Sequence, residues 1–218
     1  MGEESIDVPA PWSLVGSGYI ILVKFQRKFI EEKGFIPKTL ESSFTGGMGI
    51  IMYVDYISSD VGPYQELLFI PGMFSFHNKN YFSITKIYVS TTKSVINGQN
   101  NWGIPKEYAD FEFVEKNSID YVRIRKDNHL FAELSFNSCP CSIPCSTTLV
   151  PSGLHTLAHN YKEKTYLTTP KARGALSFAK LTGVSIDESF FPDITQGRIL
   201  CTVKARNFLM MFPEASIL

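Results

Sequence analysis

Charge of either sign is in short supply in this chain. Charged residues make up 19% of its 218 residues, and 21 basic side chains offset 21 acidic ones, for a formal net charge of zero. Proteins that grip phosphate backbones usually carry a clear basic excess, so nucleic acid is not expected as a partner. Long apolar runs are also missing. The longest, such as Tyr19–Val23, are strand-sized, far below the roughly 18–20 residues that a membrane-spanning helix needs, so no membrane partner is expected. The opening residues, 1–8, are acidic and polar and do not read as a secretory signal. A cytoplasmic location is the expectation, with the four cysteines as reduced thiols. No internal repeat, low-complexity tract or linker is found. Hydrophobic residues, at 44%, are frequent enough for a sizeable core.

What is present is mostly strand signal. Tyr19–Phe25, Ile50–Ile57, Tyr64–Ile70, Tyr81–Ser90, Phe111–Val114, Asp120–Lys126 and His129–Phe136 are short runs rich in β-branched and aromatic residues. Gly, Pro, Asn and Asp separate them, and Asp127-Asn128 predicts a two-residue hairpin turn. Thr165–Thr168 and Gly197–Arg206 are strand-like, and Ala172–Leu181 reads as helix or strand. Helical signals are few: Phe25–Lys33, and Thr91–Asn97 with Gly98 as its stop. Closely spaced strands with few helices predict an antiparallel sheet rather than βαβ units. The expected fold class is α+β: a single domain with a curved, barrel-like antiparallel sheet and few short helices.

Several familiar site patterns fail on inspection. Gly16-Ser-Gly18 and Gly46-Gly47-Met-Gly49 are each followed by a strand, not by the helix N-terminus that a phosphate cradle needs, so they read as loop and bend glycines. Cys139, Cys141 and Cys145 are spaced C-x-C-x3-C, whereas zinc sites prefer paired C-x2-C spacing. With His155 and His159 downstream a metal set is conceivable, but small, partly buried residues are the simpler reading. Cys201 reads as core. No G-x-S-x-G is present, and His77, His129, His155 and His159 have no partner arrangement. No metal or other cofactor is expected.

The segment Ile96–Asp110 stands apart. Lys106 follows Trp-Gly-Ile-Pro. The proline fixes the local backbone, and Trp102 and Ile104 can supply an apolar wall around a buried lysine. Taken alone, Gly-x-Pro-Lys would read as an exposed loop lysine.

Several blocks, taken in order, resemble the acetoacetate decarboxylase family. Pro11-Trp12 and Gly18–Leu22 resemble its N-terminal strand. Gly62–Gly72, containing Tyr64 and Glu66, resembles its central acidic strand. Asn97–Lys106 resembles the loop bearing the Schiff-base lysine, and Gly197–Leu200 with Phe212-Pro-Glu214 resembles its closing strand. The resemblance spans residues 9–216 and is closest to a decarboxylase-like branch with Asn-Trp-Gly-Ile-Pro-Lys. It implies one domain over 1–218, Lys106 as nucleophile and Glu66 as a carboxylate in the same cavity. It further implies a pocket that includes Tyr64, Trp102 and Ile104.

Departures from the family pattern are specific. Strict decarboxylases carry a second lysine where this chain has Glu107, and a second glutamate where it has Ile51, which leaves Asp55 as the nearby acid and a pocket candidate. An arginine expected near Gly16 or Ser17 is absent, and another is replaced by Gln99. An amine attacks a carbonyl only when unprotonated. Lowering a lysine from about 10.4 to about 6.5 corresponds to about 5 kcal/mol, within the reach of burial alone. Acetoacetate decarboxylase is the usual example of such an activated lysine. Alternation along an extended segment should turn Glu107 away from the amine. The implied function is a Schiff-base lyase on a small-molecule carbonyl or keto-acid substrate, by decarboxylation, aldol or retro-aldol chemistry, or dehydration. The competing class is a non-catalytic protein that binds an apolar ligand in the same cavity. A homo-oligomer is left open.

Overall fold

The structure, a computed structural model, describes residues 7–218. Residues 1–6, part of the polar start discussed above, lie outside the described residues. The fold is α+β, with a curved, nearly closed antiparallel sheet and few short helices. In chain order the elements are β1 (Trp12–Lys24), α1 (Arg27–Lys33), β2 (Phe44–Gly46), β3 (Gly49–Ser58), β4 (Tyr64–Ile70), β5 (Met73–Phe76), β6 (Lys79–Phe82), β7 (Lys86–Val89), α2 (Thr92–Trp102), β8 (Lys106–Tyr108), β9 (Asp110–Lys116), β10 (Ile119–Lys126), β11 (His129–Ser138), β12 (Ile143–Ser146), β13 (Leu157–Tyr161), β14 (Lys164–Thr168), β15 (Lys171–Ile186), β16 (Arg198–Phe212) and β17 (Ser216–Ile217). No helix among the described residues is long and apolar enough to cross a membrane.

The larger sheet runs β8-β7-β4-β3-β1-β16-β15-β11-β10-β9, with β12 added on β15. Among its described strands only the β7–β8 pair is parallel. Curvature comes from the long strands. β15 pairs with β16 through residues 171–178 and then with β11 through residues 179–186, so one strand serves two stretches of the wall. β1 carries irregularities at Gly16/Gly18 and Leu22/Val23. Gly16 and Gly18 therefore belong to a strand, not to a loop. A Cβ at either would sit 2.4 Å or 2.3 Å from the carbonyl oxygens of Asp55 and Tyr53 on β3, so only glycine lets β1 bend this close.

A smaller sheet, β17-β14-β13-β6-β5-β2, packs alongside. It explains why Tyr81–Ser90 is two strands. Phe82 ends β6 in the small sheet, and Lys86 begins β7 in the large one. At the crossing, Ile84 N–H donates to His159 Nε2 (3.1 Å) and Thr85 Oγ1 donates to the Gly34 carbonyl (2.7 Å). The Asp127-Asn128 turn has positive φ at both residues (50° and 65°), the geometry whose twist matches a hairpin. The segment 139–152 is less irregular than expected, because Ile143–Ser146 pairs with β15.

The central strands are buried on both faces, and residue parity decides which core each side chain joins. On β3 and β4, Val54, Tyr56, Tyr64, Leu68 and Ile70 join one cluster with Trp12, Trp102 and Ile104. Ile51, Tyr53, Leu67 and Phe69 point the other way, into a second cluster with Tyr19, Phe136 and Phe191. A period of two in a strand makes this division strict.

Candidate active site

The site is assembled from α2, β8 and β4 on the first of these faces. Thr91 caps α2 by accepting from Ser94 N–H, and Gly103, with φ 63°, ends the helix in the left-handed region. Pro105 follows, and Lys106 begins β8 beside Ile87. The helix thus runs past Gly98, which the sequence reading took as its stop. Gly98 has another role: the Lys106 side chain crosses the helix there, and a Cβ would lie 2.6 Å from Lys106 Cδ. Gln99, which stands where the resemblance suggested an arginine, donates its amide to the Lys106 carbonyl (2.9 Å) and ties the strand to the helix.

Lys106 is 4% exposed and Glu66 5%. The Lys106 ammonium lies 3.1 Å from Glu66 Oε2, and donates to Ser94 Oγ (3.0 Å) and Tyr64 OH (3.4 Å). Three N–H groups therefore have three acceptors. Tyr56 OH donates to Glu66 Oε1 across 3.5 Å. Burial pulls the lysine down, but the neighbouring Tyr64 and Glu66 oxygens push it up, and the balance lies above the ordinary lysine value. The resting side chain is an ion-paired ammonium. Burial pushes the Tyr64 phenol up to about 12, and Tyr56 rises too, also mainly through burial. Both phenols stay protonated near neutral pH.

The pair lines a cavity of about 360 Å³. Trp12, Leu14, Met52, Val54, Leu68 and Phe208 form much of its wall. Tyr64, Glu66, Trp102, Ile104 and Lys106, all anticipated from the sequence, line it. Asp55 does not. It has the parity of Tyr53, so it points to the opposite face and interacts with Gln65. Ile51 is buried in that opposite core as well. Sequence reading missed Ser94 and Tyr56. Ser94, Gly98 and Trp102 recur every four residues and share one helix face, a signal hidden while the helix was thought to end at Asn97. Tyr56 faces the cavity by alternation from Val54.

Glu107 points away from Lys106, as alternation requires. It pairs with Lys86 (2.5 Å) and with Lys126 on the far side of the sheet, and those lysines hold its carboxyl below the usual range despite partial burial. Cys139, Cys141 and Cys145 are exposed rather than partly buried, and Cys201 is half-buried rather than core. Among the described residues no cluster of three or more His, Cys, Asp or Glu could hold a metal.

His159 is buried, and burial lowers it to about 3, from about 6.5 in an unfolded chain. The unfolded state therefore binds more protons between those values, and stability falls as pH drops through that window. A loss of roughly 3 kcal/mol between pH 7 and pH 4 is expected from this group. Urea unfolding at both pH values checks it: His159→Gln, which keeps an acceptor for Ile84 N–H, should remove that part of the acid sensitivity.

A curved sheet enclosing an apolar cavity, with one buried lysine–carboxylate pair lining it, defines the class of protein. The acetoacetate decarboxylase family profile matches residues 15–139. That is more than half of the chain and includes Glu66 and Lys106, and the chain belongs to this family. No curated protein matches the sequence. Among solved structures, acetoacetate decarboxylase from Legionella pneumophila superposes with a TM-score of 0.72 at 9% identity, covering 96% of this chain and 88% of that one. An acetoacetate decarboxylase-like enzyme from Sphingomonas wittichii RW1 gives 0.70 at 10% identity, covering 100% and 96%. The enduracididine biosynthesis enzyme MppR, complexed with pyruvate, gives 0.65 at 14% identity, covering 99% and 93%. At these identities the likeness is one of fold.

Proposed function

We propose that this chain is a Schiff-base-forming lyase that acts through Lys106 on a carbonyl or keto-acid substrate. The observation that carries the reading is the Lys106 ammonium, buried in the lining of an apolar cavity 3.1 Å from the Glu66 carboxylate. Glu66 is the proton acceptor in this reading. It takes one proton from the ammonium and frees the lone pair that attacks the carbonyl carbon. The proton left over on the attacking nitrogen passes to the carbonyl oxygen, and the carbinolamine hydroxyl leaves as water with the proton that Glu66 returns. One ammonium becomes one protonated imine, one water leaves, and the charge at the site is unchanged. The imine then withdraws electrons from the neighbouring carbon, which supports decarboxylation, aldol or retro-aldol chemistry, or dehydration. Tyr64 and Ser94 hold the nitrogen in line, while Trp102 and Ile104 keep water out.

The departures at Glu107 and Gln99, with no arginine at Gly16 or Ser17, favour a branch distinct from strict acetoacetate decarboxylases. The pyruvate complex of MppR is consistent with a carbonyl ligand in a cavity of this fold. The reading takes 1–218 as one domain working in the cytoplasm without metal or organic cofactor. A second reading has one observation in its favour. A lysine whose three N–H groups are already held by Glu66, Ser94 and Tyr64 suits a pocket that binds an apolar ligand without chemistry.

The pH dependence of borohydride trapping tests the role of Glu66. Because the carboxylate raises Lys106, Glu66→Gln should move the midpoint of the trapping profile to lower pH. A midpoint that stays in place would remove Glu66 from this role.

A further inference from the structure

On the footing that Lys106 is the nucleophile, the charges in the cavity point to a substrate class. We infer that the site takes a neutral, apolar ketone or aldehyde with an aryl or medium alkyl body, in preference to a keto acid whose carboxylate adjoins the carbonyl.

The argument begins with a count of charges. Among the described residues, Glu66 is the only acidic residue lining the cavity, Lys106 and Arg173 are the only lysine or arginine residues, and half-buried His155 lines it as well. Arg173 is exposed and also borders a second, outer hollow with Asn207 and Leu209, so it belongs to the solvent side. The buried pair is one cation and one anion, 3.1 Å apart. A carboxylate next to the reacting carbonyl would place a second anion against Glu66 with a single cation between them. Burying an anion without its own partner is strongly unfavourable. Imine formation with a neutral carbonyl avoids this, because the iminium inherits the ammonium's charge and keeps Glu66 as its partner.

Size and lining agree. At about 30 Å³ per water-sized group, a cavity of about 360 Å³ has room for about a dozen non-hydrogen atoms. The polar atoms of Lys106, Glu66, Tyr56, Tyr64 and Ser94 gather at one point; Ser146, Thr147 and His155 also line the cavity, and most of the remaining wall is aliphatic or aromatic. A ligand with a carbonyl at the lysine and an apolar body fits that lining.

The test compares benzylacetone with its keto-acid counterpart, in which a carboxylate replaces the methyl group. The chain has two tryptophans, Trp12 and Trp102, and both line the cavity. Their fluorescence therefore reports binding without any chemistry. Benzylacetone should bind the wild-type protein at least about tenfold more tightly than the keto acid. In Glu66→Gln that preference should largely disappear, because the competing anion is gone. Equal or tighter binding of the keto acid by the wild type overturns the inference, as does a preference unchanged in Glu66→Gln. Borohydride trapping separates this from the underlying reading. Tight benzylacetone binding with no adduct on Lys106 would end the Schiff-base reading and leave the ligand class standing. Equal trapping of both compounds on Lys106 would do the reverse.

Discussion

Lys106→Met is expected to abolish imine trapping and, alone, to destabilise the fold. Methionine fills the stem of the lysine but removes the cation beside Glu66. The carboxylate, 5% exposed, would keep only the long contact to Tyr56 OH (3.5 Å). Removing one partner of a buried ion pair typically costs about 3–5 kcal/mol. The carboxyl can relieve this by holding a proton, so its folded value should rise above the unfolded value near 4.3. Between those two values the folded state binds more protons, and the variant should therefore lose stability as pH rises from about 4 towards neutrality. Lys106→Met/Glu66→Gln, with no buried charge, should recover most of the loss and lose that pH dependence. Urea unfolding from acid to neutral pH measures all three proteins. If Lys106→Met costs under about 1 kcal/mol at pH 7, the pair is not the buried one described here.

Gly98→Ala should disturb both the buried pair and its chemistry. Inside a helix, alanine is favoured over glycine by about 1 kcal/mol, which offsets only part of the cost of loosening the buried Lys106–Glu66 pair, so the unfolding midpoint should fall, by less than in Lys106→Met. The new methyl would lie 2.6 Å from Lys106 Cδ and 2.9 Å from Cε. The lysine chain is flexible and can move aside, but its nitrogen then leaves the acceptors that Glu66, Ser94 and Tyr64 provide. A misplacement of about 1 Å can cost about a hundredfold in rate, so imine trapping should slow by between about tenfold and a hundredfold. Wild-type trapping in a stable Gly98→Ala protein would show that the position of the amine beside helix α2 does not matter.

Much of this arrangement was legible in the residues. Runs of β-branched and aromatic residues locate β3 and β4, and the family resemblance points to Tyr64 and Glu66, both of which line the cavity. Period-two alternation, which the sequence reading did not apply here, puts Asp55 on the other face. Glu107 was a correct application of alternation, and its real partners, Lys86 and Lys126, come from β7 and β10. No local pattern could name them. The smaller sheet went largely unread because its strands are two to five residues long, too short for a period to show. Helix α2 was cut short because Gly98 resembles a stop. Its reason for being glycine is a contact with Lys106, eight residues further on, and propensity carries no information about that contact. Burial of Lys106 follows from the family resemblance rather than from Gly-x-Pro-Lys, which alone reads as an exposed loop lysine, and its protonation follows from neither. That depends on the 3.1 Å approach of Glu66, which is 40 residues away in the chain and meets it only across the β4–β7–β8 ladder.

Wild-type protein incubated with a carbonyl compound, reduced with borohydride and mapped by peptide mass spectrometry tests the central claim most directly. The account predicts one reduced adduct per chain, on Lys106. An unmodified Lys106 alongside a saturably bound carbonyl ligand would contradict it, and would make the cavity a binding site whose lysine serves only as the partner of Glu66.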